Sequence, residues 1–172
     1  GTSHGDPRIS REEYNLMQPI LYESVLDLRE HEAAQSSTLH EATASLAVDG
    51  RSSASFGSGS CTMTLKEYEP WWSVELGGLR VISVVNIHNR GDCCSERLFP
   101  FSVWLTDPGA DHWSHGERCG EPIQRDGVAD SLSWILTAGC GIVGGKVWVV
   151  LEGRTEHLTL CEVHVTVQER MF

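Results

Sequence analysis

At 172 residues the chain is long enough to bury the core of a single domain without help from metals or disulfides. Hydrophobic residues make up 40% and charged residues 22%, the proportions of an ordinary globular protein. A net charge of −11 argues against nucleic acid or an anionic membrane as a main partner, because both demand a basic face; the same acids offer oxygen ligands to a hard cation.

Residues 1–10 are polar, contain Gly5 and Pro7, and read as a tag or flexible terminus. From residue 11 to 28, Leu16, Met17, Ile20, Leu21, Val25 and Leu28 recur at roughly helical spacing, with Pro19 suited to a first turn. This stretch is expected to be a short helix or an extended arm packed on the domain. A sharper alternative makes it a linker or an oligomer contact. The division is therefore 1–24 as an N-terminal extension, partly helical, and 25–172 as one domain. Glu30 to Ser60 is rich in Ser, Ala, Thr and Gly and reads as loops with short strands.

Strand candidates follow at Trp71–Leu76, Leu79–His88, Phe101–Thr106, Ser131–Thr137, Lys146–Leu151 and Leu158–Val167. In the second of these, Val81, Ser83, Val85 and Ile87 should share one face, and Ile82, Val84 and Asn86 the other. Gly77-Gly78, Asp107-Pro108-Gly109, Gly144-Gly145 and Gly153 punctuate the gaps. Many short strands with such turns indicate an all-β sandwich or barrel. No membrane-spanning run is visible, no Asn-x-Ser/Thr sequon occurs, and the start at Gly1 without Met reads as a mature or trimmed chain.

Six cysteines fit three disulfides and an oxidising, extracellular compartment, with many connectivities open. Cys93 and Cys94 are adjacent, so each pairs with a distant cysteine or they pair with each other. A bond between neighbours closes a tiny ring and makes a flat, apolar plate. Here the plate would lie in Asn89-Arg90-Gly91-Asp92-Cys93-Cys94-Ser95-Glu96-Arg97, flanked by two arginines and two acids. Sugar carbons can rest on sulfur while hydroxyls accept from guanidinium forks, with Asp92 and Glu96 fixing the arginines. Arg90-Gly91-Asp92 is also an adhesion tripeptide, but such recognition needs a mobile loop.

That stretch resembles the fucose-binding loop of F-type lectins (fucolectins), whose pattern is a His, a long gap, then Arg-x-Asp-Cys-Cys-x-Glu-Arg. Ala47-Val48-Asp49-Gly50, Gly59-Ser60-Cys61-Thr62, Pro70-Trp71-Trp72-Ser73-Val74-Glu75-Leu76 and Leu158-Thr159-Leu160-Cys161-Glu162-Val163 resemble the same family in the same order. The resemblance covers about residues 25–167. It implies a disulfide-linked β-sandwich (jelly roll) of short antiparallel strands with long loops, and the pairs Cys93–Cys94, Cys61–Cys161 and Cys119–Cys140. It also implies sugar contacts at Arg90, Arg97, Cys93 and Cys94, an aromatic at Phe56 helping to form a pocket for the fucose methyl, with Leu39 a weaker candidate, and support from Asp92 and Glu96. The family's sugar-binding His falls on Met63, and a thioether cannot donate a hydrogen bond. His40 and His88 are candidate stand-in donors.

The resemblance further implies a structural calcium ion (Ca2+) held by the side chains of Asp49, Ser60 and Glu162 and the carbonyls of Leu46, Arg51 and Cys161, a mixture that suits this cation. No nucleophile elbow or phosphate loop occurs, and carboxylates beside arginines stay ionised and make poor general acids, so no enzyme is expected. The expected function is a secreted lectin for fucosylated or related glycans on a cell-surface glycoprotein, as a homo-oligomer or tandem array, without membrane insertion. Family members act in innate immunity or at gamete surfaces. The rivals are a protein-interaction module with an abandoned sugar site and a carbohydrate-targeting module cut from a larger enzyme.

Overall fold

A computed structural model of the chain describes residues 9–18, 20–125 and 135–171. Residues 1–8 of the expected flexible terminus, Pro19, and 131–134 of the expected strand Ser131–Thr137 lie outside the described residues.

The N-terminal stretch forms a helix and then a strand, but the helix ends at Met17, ahead of the expected first turn, and Ile20, Leu21 and Val25 of the expected helical spacing lie in the strand. Helix α1 (Arg11–Met17) starts at a capping box in which Ser10 Oγ accepts from the Glu13 N–H and a Glu13 carboxylate oxygen accepts from the Ser10 N–H. None of its residues is buried. Strand β1 (Ile20–Val25) then joins the main sheet along β9 (Glu162–Met171), in register Ile20↔Met171 to Val25↔Thr166. It is an edge strand, and Ile20, Leu21 and Val25 are all more than half exposed.

The remaining strands are β2 (Ala33–Gln35), β3 (Glu67–Tyr68), β4 (Trp71–His88), β5 (Ser102–Thr106), β6 (Glu117–Arg118), β7 (Ile135–Val150) and β8 (Thr155–Glu156). The main sheet runs β1-β9-β4-β7-β5-β6 with β2 on β4, antiparallel throughout; β3 and β8 pair separately. The two segments Trp71–Leu76 and Leu79–His88, expected as separate strands, are the halves of the single strand β4. Its first half meets the second half of β7, and its second half meets the first half of β7 and β9. The register shifts between Glu75 and Arg80, around Gly77 and Gly78, which both have positive φ. The two long strands thus pass through both layers of the sandwich.

One apolar cluster fills the space between the layers. Trp72, Val74, Leu76, Val103, Leu105, Val147 and Val149 line one side, and Ile82, Val85, Ile87, Val163, Val165 and Val167 the other. The strict alternation expected over Val81–Ile87 fails. Ile82, Val85 and Ile87 are all fully buried, because the register shifts again between Ile82 and Val84 and the extra residue exchanges the two faces. A second aromatic layer, Trp113 and Trp148 with Trp71 and Trp104 against them, lies outside this core. The three disulfides are Cys61–Cys161, Cys93–Cys94 and Cys119–Cys140.

Candidate functional site

The loop 89–97 leaves the end of β4 and is closed by its first residue. Asn89 is buried; its Nδ2 donates to the Ser95 carbonyl at 2.9 Å and its Oδ1 accepts from the Arg90 N–H at 2.8 Å. The Gly91 N–H donates to the Ala54 carbonyl at 2.7 Å, and a Cβ at Gly91 would stand 3.1 Å from the Ala54 Cβ. Glycine therefore lets this loop press against the segment that carries Phe56. Cys94 takes a left-handed backbone (φ 62°) and opens a short 3-10 turn, Ser95–Leu98, on which Arg97 rides.

Arg90 is held on two sides. Its Nε donates to Asp92 Oδ1 at 2.7 Å, and its guanidinium lies 4.6 Å from the centre of the Phe56 ring. The hydrogen bond from Arg90 holds the Asp92 carboxyl below its ordinary range, so Asp92 is a fixed anion and not an acid. The same pairing folds the adhesion tripeptide onto itself. The guanidinium of Arg97 has no hydrogen bond or ion pair among the described residues, and neither has the Glu96 carboxylate. The expected brace from Glu96 to Arg97 is thus absent, because successive residues of a helical turn point in different directions.

Asn89, Arg90, Cys94, Arg97, Leu98 and Thr159 enclose a space of about 10 Å³, near the size of one water molecule. The Thr159 hydroxyl is buried there with no partner among the described residues. Beyond Phe56 opens a hollow of about 410 Å³, lined by Leu39, His40, Ala42, Leu46 and Phe56 among others. Met63 is only 5% exposed and lies against the segment Leu39–Ala42, its N–H donating to the Ala42 carbonyl and its carbonyl accepting from the Leu39 N–H. Of the two histidines considered as donors, His40 is exposed on the hollow. His88 is buried against the His164 ring at 5.1 Å, and burial lowers its pKa.

The second constellation lies around the Cys61–Cys161 bridge, whose Cα atoms are 3.9 Å apart. This sets buried Ser60 and buried Glu162 on adjoining backbones. Glu162 Oε2 has no hydrogen-bond partner among the described residues, and burial, then the charge of Asp49, outweighs the Val163 and Gly50 N–H groups and pushes the carboxyl up to about 8. Asp49 Oδ1 accepts from the Arg51 N–H at 2.9 Å across a turn in which Gly50 has φ 81°. Leu46 lies in the preceding 3-10 turn, Ala44–Val48. Among the described residues no three His, Cys, Asp or Glu side chains gather as a metal group. Carboxylates, a hydroxyl and carbonyls are the donor types a hard cation takes, and a buried carboxylate oxygen with no partner among the described residues is what such an ion would satisfy.

Sequence reading missed Asn89, Thr159 and Arg154. The Asn at the head of a tight loop carried a signal, since Asn side chains bond their own local backbone. The other two lie far along the chain and meet the loop only in the fold.

A family model described as NedA-like, galactose-binding domain matches residues 46–124, a little under half of the chain. A fucolectin of Anguilla anguilla is 33% identical over 126 residues, spanning 73% of this chain and 77% of the relative. The structure of an f-lectin (fucolectin) from striped bass (Morone saxatilis) serum superposes with a TM-score of 0.73 at 31% identity, covering 84% of this chain and 49% of that one. The lectin domain of lectinolysin, complexed with Lewis B antigen, gives 0.68 at 29% identity over 81% of this chain and 95% of its own. The chain belongs to the F-type lectin (fucolectin) family. Like these lectins it is non-enzymatic. It spans 27% to 65% of the length of the first curated relatives it matches.

Proposed function

We propose that the chain is an extracellular lectin domain, stabilised by calcium, that binds fucosylated or related glycans on glycoproteins. The observation that carries this reading is the loop 89–97. Arg90 is clamped between Asp92 and Phe56, the Arg97 guanidinium is unengaged among the described residues, and the Cys93–Cys94 disulfide links the two. Two guanidiniums beside an apolar plate suit a ring that shows hydroxyls on one side and carbons on the other. The relatives support the ligand class: they include fucolectins and a lectin domain bound to a Lewis antigen. Three disulfides favour an oxidising compartment, and no described helix is long and apolar enough to cross a membrane. The exposed apolar residues of β1 favour self-association, which would multiply weak single sites. Asp49, Ser60 and Glu162, with the carbonyls of Leu46, Arg51 and Cys161, would hold the calcium ion, which supplies structural charge and no chemistry on the ligand.

Asp92→Asn is expected to loosen Arg90 and weaken fucoside binding about 10-fold, with little change in melting temperature, because the charge-assisted pairing is lost from a partly exposed pair. Titration calorimetry of the two proteins checks this.

The burial of Met63 favours a second reading, in which the sugar site has been abandoned and the fold binds a protein. A glycan-array screen in calcium of wild type and Met63→His separates the two. A restored donor should raise fucose affinity by about 5- to 150-fold, the worth of one hydrogen bond facing a hydroxyl. Binding by wild type to a defined fucosylated set supports the lectin. Silence from both proteins would remove it.

A further inference from the structure

The segment that carries Arg97 is gripped from outside its own loop. Arg154 lies in the turn between β7 and β8, and its Nη2 donates to the Arg97 carbonyl at 2.7 Å and to the Pro100 carbonyl at 3.0 Å. Its Nε donates to the Pro100 carbonyl at 3.3 Å. Both ends of Arg97–Pro100 are therefore tied to one planar guanidinium. The turn is itself anchored. The Glu69 N–H donates to the Arg154 carbonyl at 2.9 Å, the Gly153 N–H donates to Glu69 Oε2 at 2.9 Å, and Tyr68 pairs with Thr155.

Arg154 is half-buried, and among the described residues no carboxylate lies within ion-pair distance of it. Burial lowers its pKa, and the charge of Glu156 offsets this only in part. The donors go to main-chain carbonyls of the very segment that presents Arg97. That segment has little hold of its own: a single 3-10 turn, with the Arg97 and Phe99 N–H groups donating back at 3.1 and 3.2 Å. One such turn does not sustain itself without tertiary support.

We infer that Arg154 is a positioning residue for the ligand site, fixing the Arg97–Pro100 backbone so that the Arg97 guanidinium is presented to the disulfide plate in one direction. The inference rests on the reading of Arg97 as a ligand contact. It requires the fork of arginine specifically. Lysine offers a point charge that reaches one carbonyl at a time.

The test uses Arg154→Lys and Arg154→Gln beside wild type and Arg97→Ala, all in calcium. Amide hydrogen exchange is read residue by residue, and methyl α-L-fucoside is titrated. Exchange at the Arg97 and Phe99 amides should quicken at least about 10-fold in both Arg154 variants, while the Val85 and Val165 amides in the core strands keep their rates. Fucoside affinity should fall about 10-fold for Arg154→Lys and further for Arg154→Gln, approaching Arg97→Ala. Unchanged exchange at Arg97 and Phe99 would overturn the inference. So would a uniform rise across the sheet, which marks a merely stabilising residue, or a local rise with unaltered affinity. If neither wild type nor Met63→His binds the fucoside, the reading of Arg97 as a sugar contact fails and the positioning role falls with it. The exchange data then decide separately whether Arg154 holds the segment.

Discussion

Arg90→Ala is expected to abolish measurable binding of fucosylated glycans and to leave the folded protein intact. The guanidinium is firmly placed, bonded to Asp92 and lying over the Phe56 ring, with its side chain 15% exposed. Hydrogen bonds from a charged donor contribute about 1.5–3 kcal/mol each, so losing two to the ligand costs at least about 100-fold in affinity. The ion pair with Asp92 is partly exposed and contributes little to stability, so the melting temperature should scarcely move. Titration with a fucosyl oligosaccharide in calcium, alongside a melting curve, reads both quantities. Wild-type affinity in the variant would place the ligand elsewhere on the surface.

If the proposed calcium ion is bound, chelation is expected to lower the melting temperature by roughly 5–10 °C, the effect of a ligand held about 100-fold above its dissociation constant on a domain of this size. Glu162→Gln erases most of that difference. The pH dependence supplies a sharper check. Without the ion, folded Glu162 keeps its proton up to about pH 8, whereas the unfolded chain releases it near 4.5. The folded state is the one holding the proton in that window, so this carboxyl makes the chelated protein progressively less stable as pH rises through it. Glutamine carries no such charge. Chelated Glu162→Gln should therefore melt above chelated wild type at pH 8 and close to it near pH 4.5, and calcium should reverse the order at pH 8. Identical melting of wild type with calcium and with chelator would remove the ion from the account.

Strand positions were legible because the apolar segments are β-branched, although both glycine pairs, Gly77-Gly78 and Gly144-Gly145, fall inside strands rather than at their ends. What escaped was their continuity. Trp71–Leu76 and Leu79–His88 looked like two strands because Gly77-Gly78 usually signals a turn, yet here the pair only bends one strand. The bulge beside Ser83 was equally silent: no residue type demands it, and it is settled by what β7 and β9 place opposite. The disulfide pairs were readable through family resemblance alone, whereas the contacts that set the arginines divide by distance along the chain. Asp92 lies two residues from Arg90, and its pairing could be anticipated. Arg154 lies 57 residues from Arg97. Nothing in its neighbourhood, Glu152-Gly153-Arg154-Thr155, distinguishes it from an ordinary surface turn.

The two bent strands have a mechanical meaning. Because β4 and β7 each cross from one layer to the other, the sandwich is a single folded ribbon and not two sheets pressed together. Along the crease, a Cβ at Gly144 would come within 2.9 Å of Leu105, and one at Gly145 within 2.3 Å of Pro108, so the fold line leaves no slack. Neither layer can peel away while the other stays intact, since parting them would tear the same pair of ladders. Loss of structure should then be all-or-none, a single calorimetric peak whose van't Hoff and measured enthalpies agree.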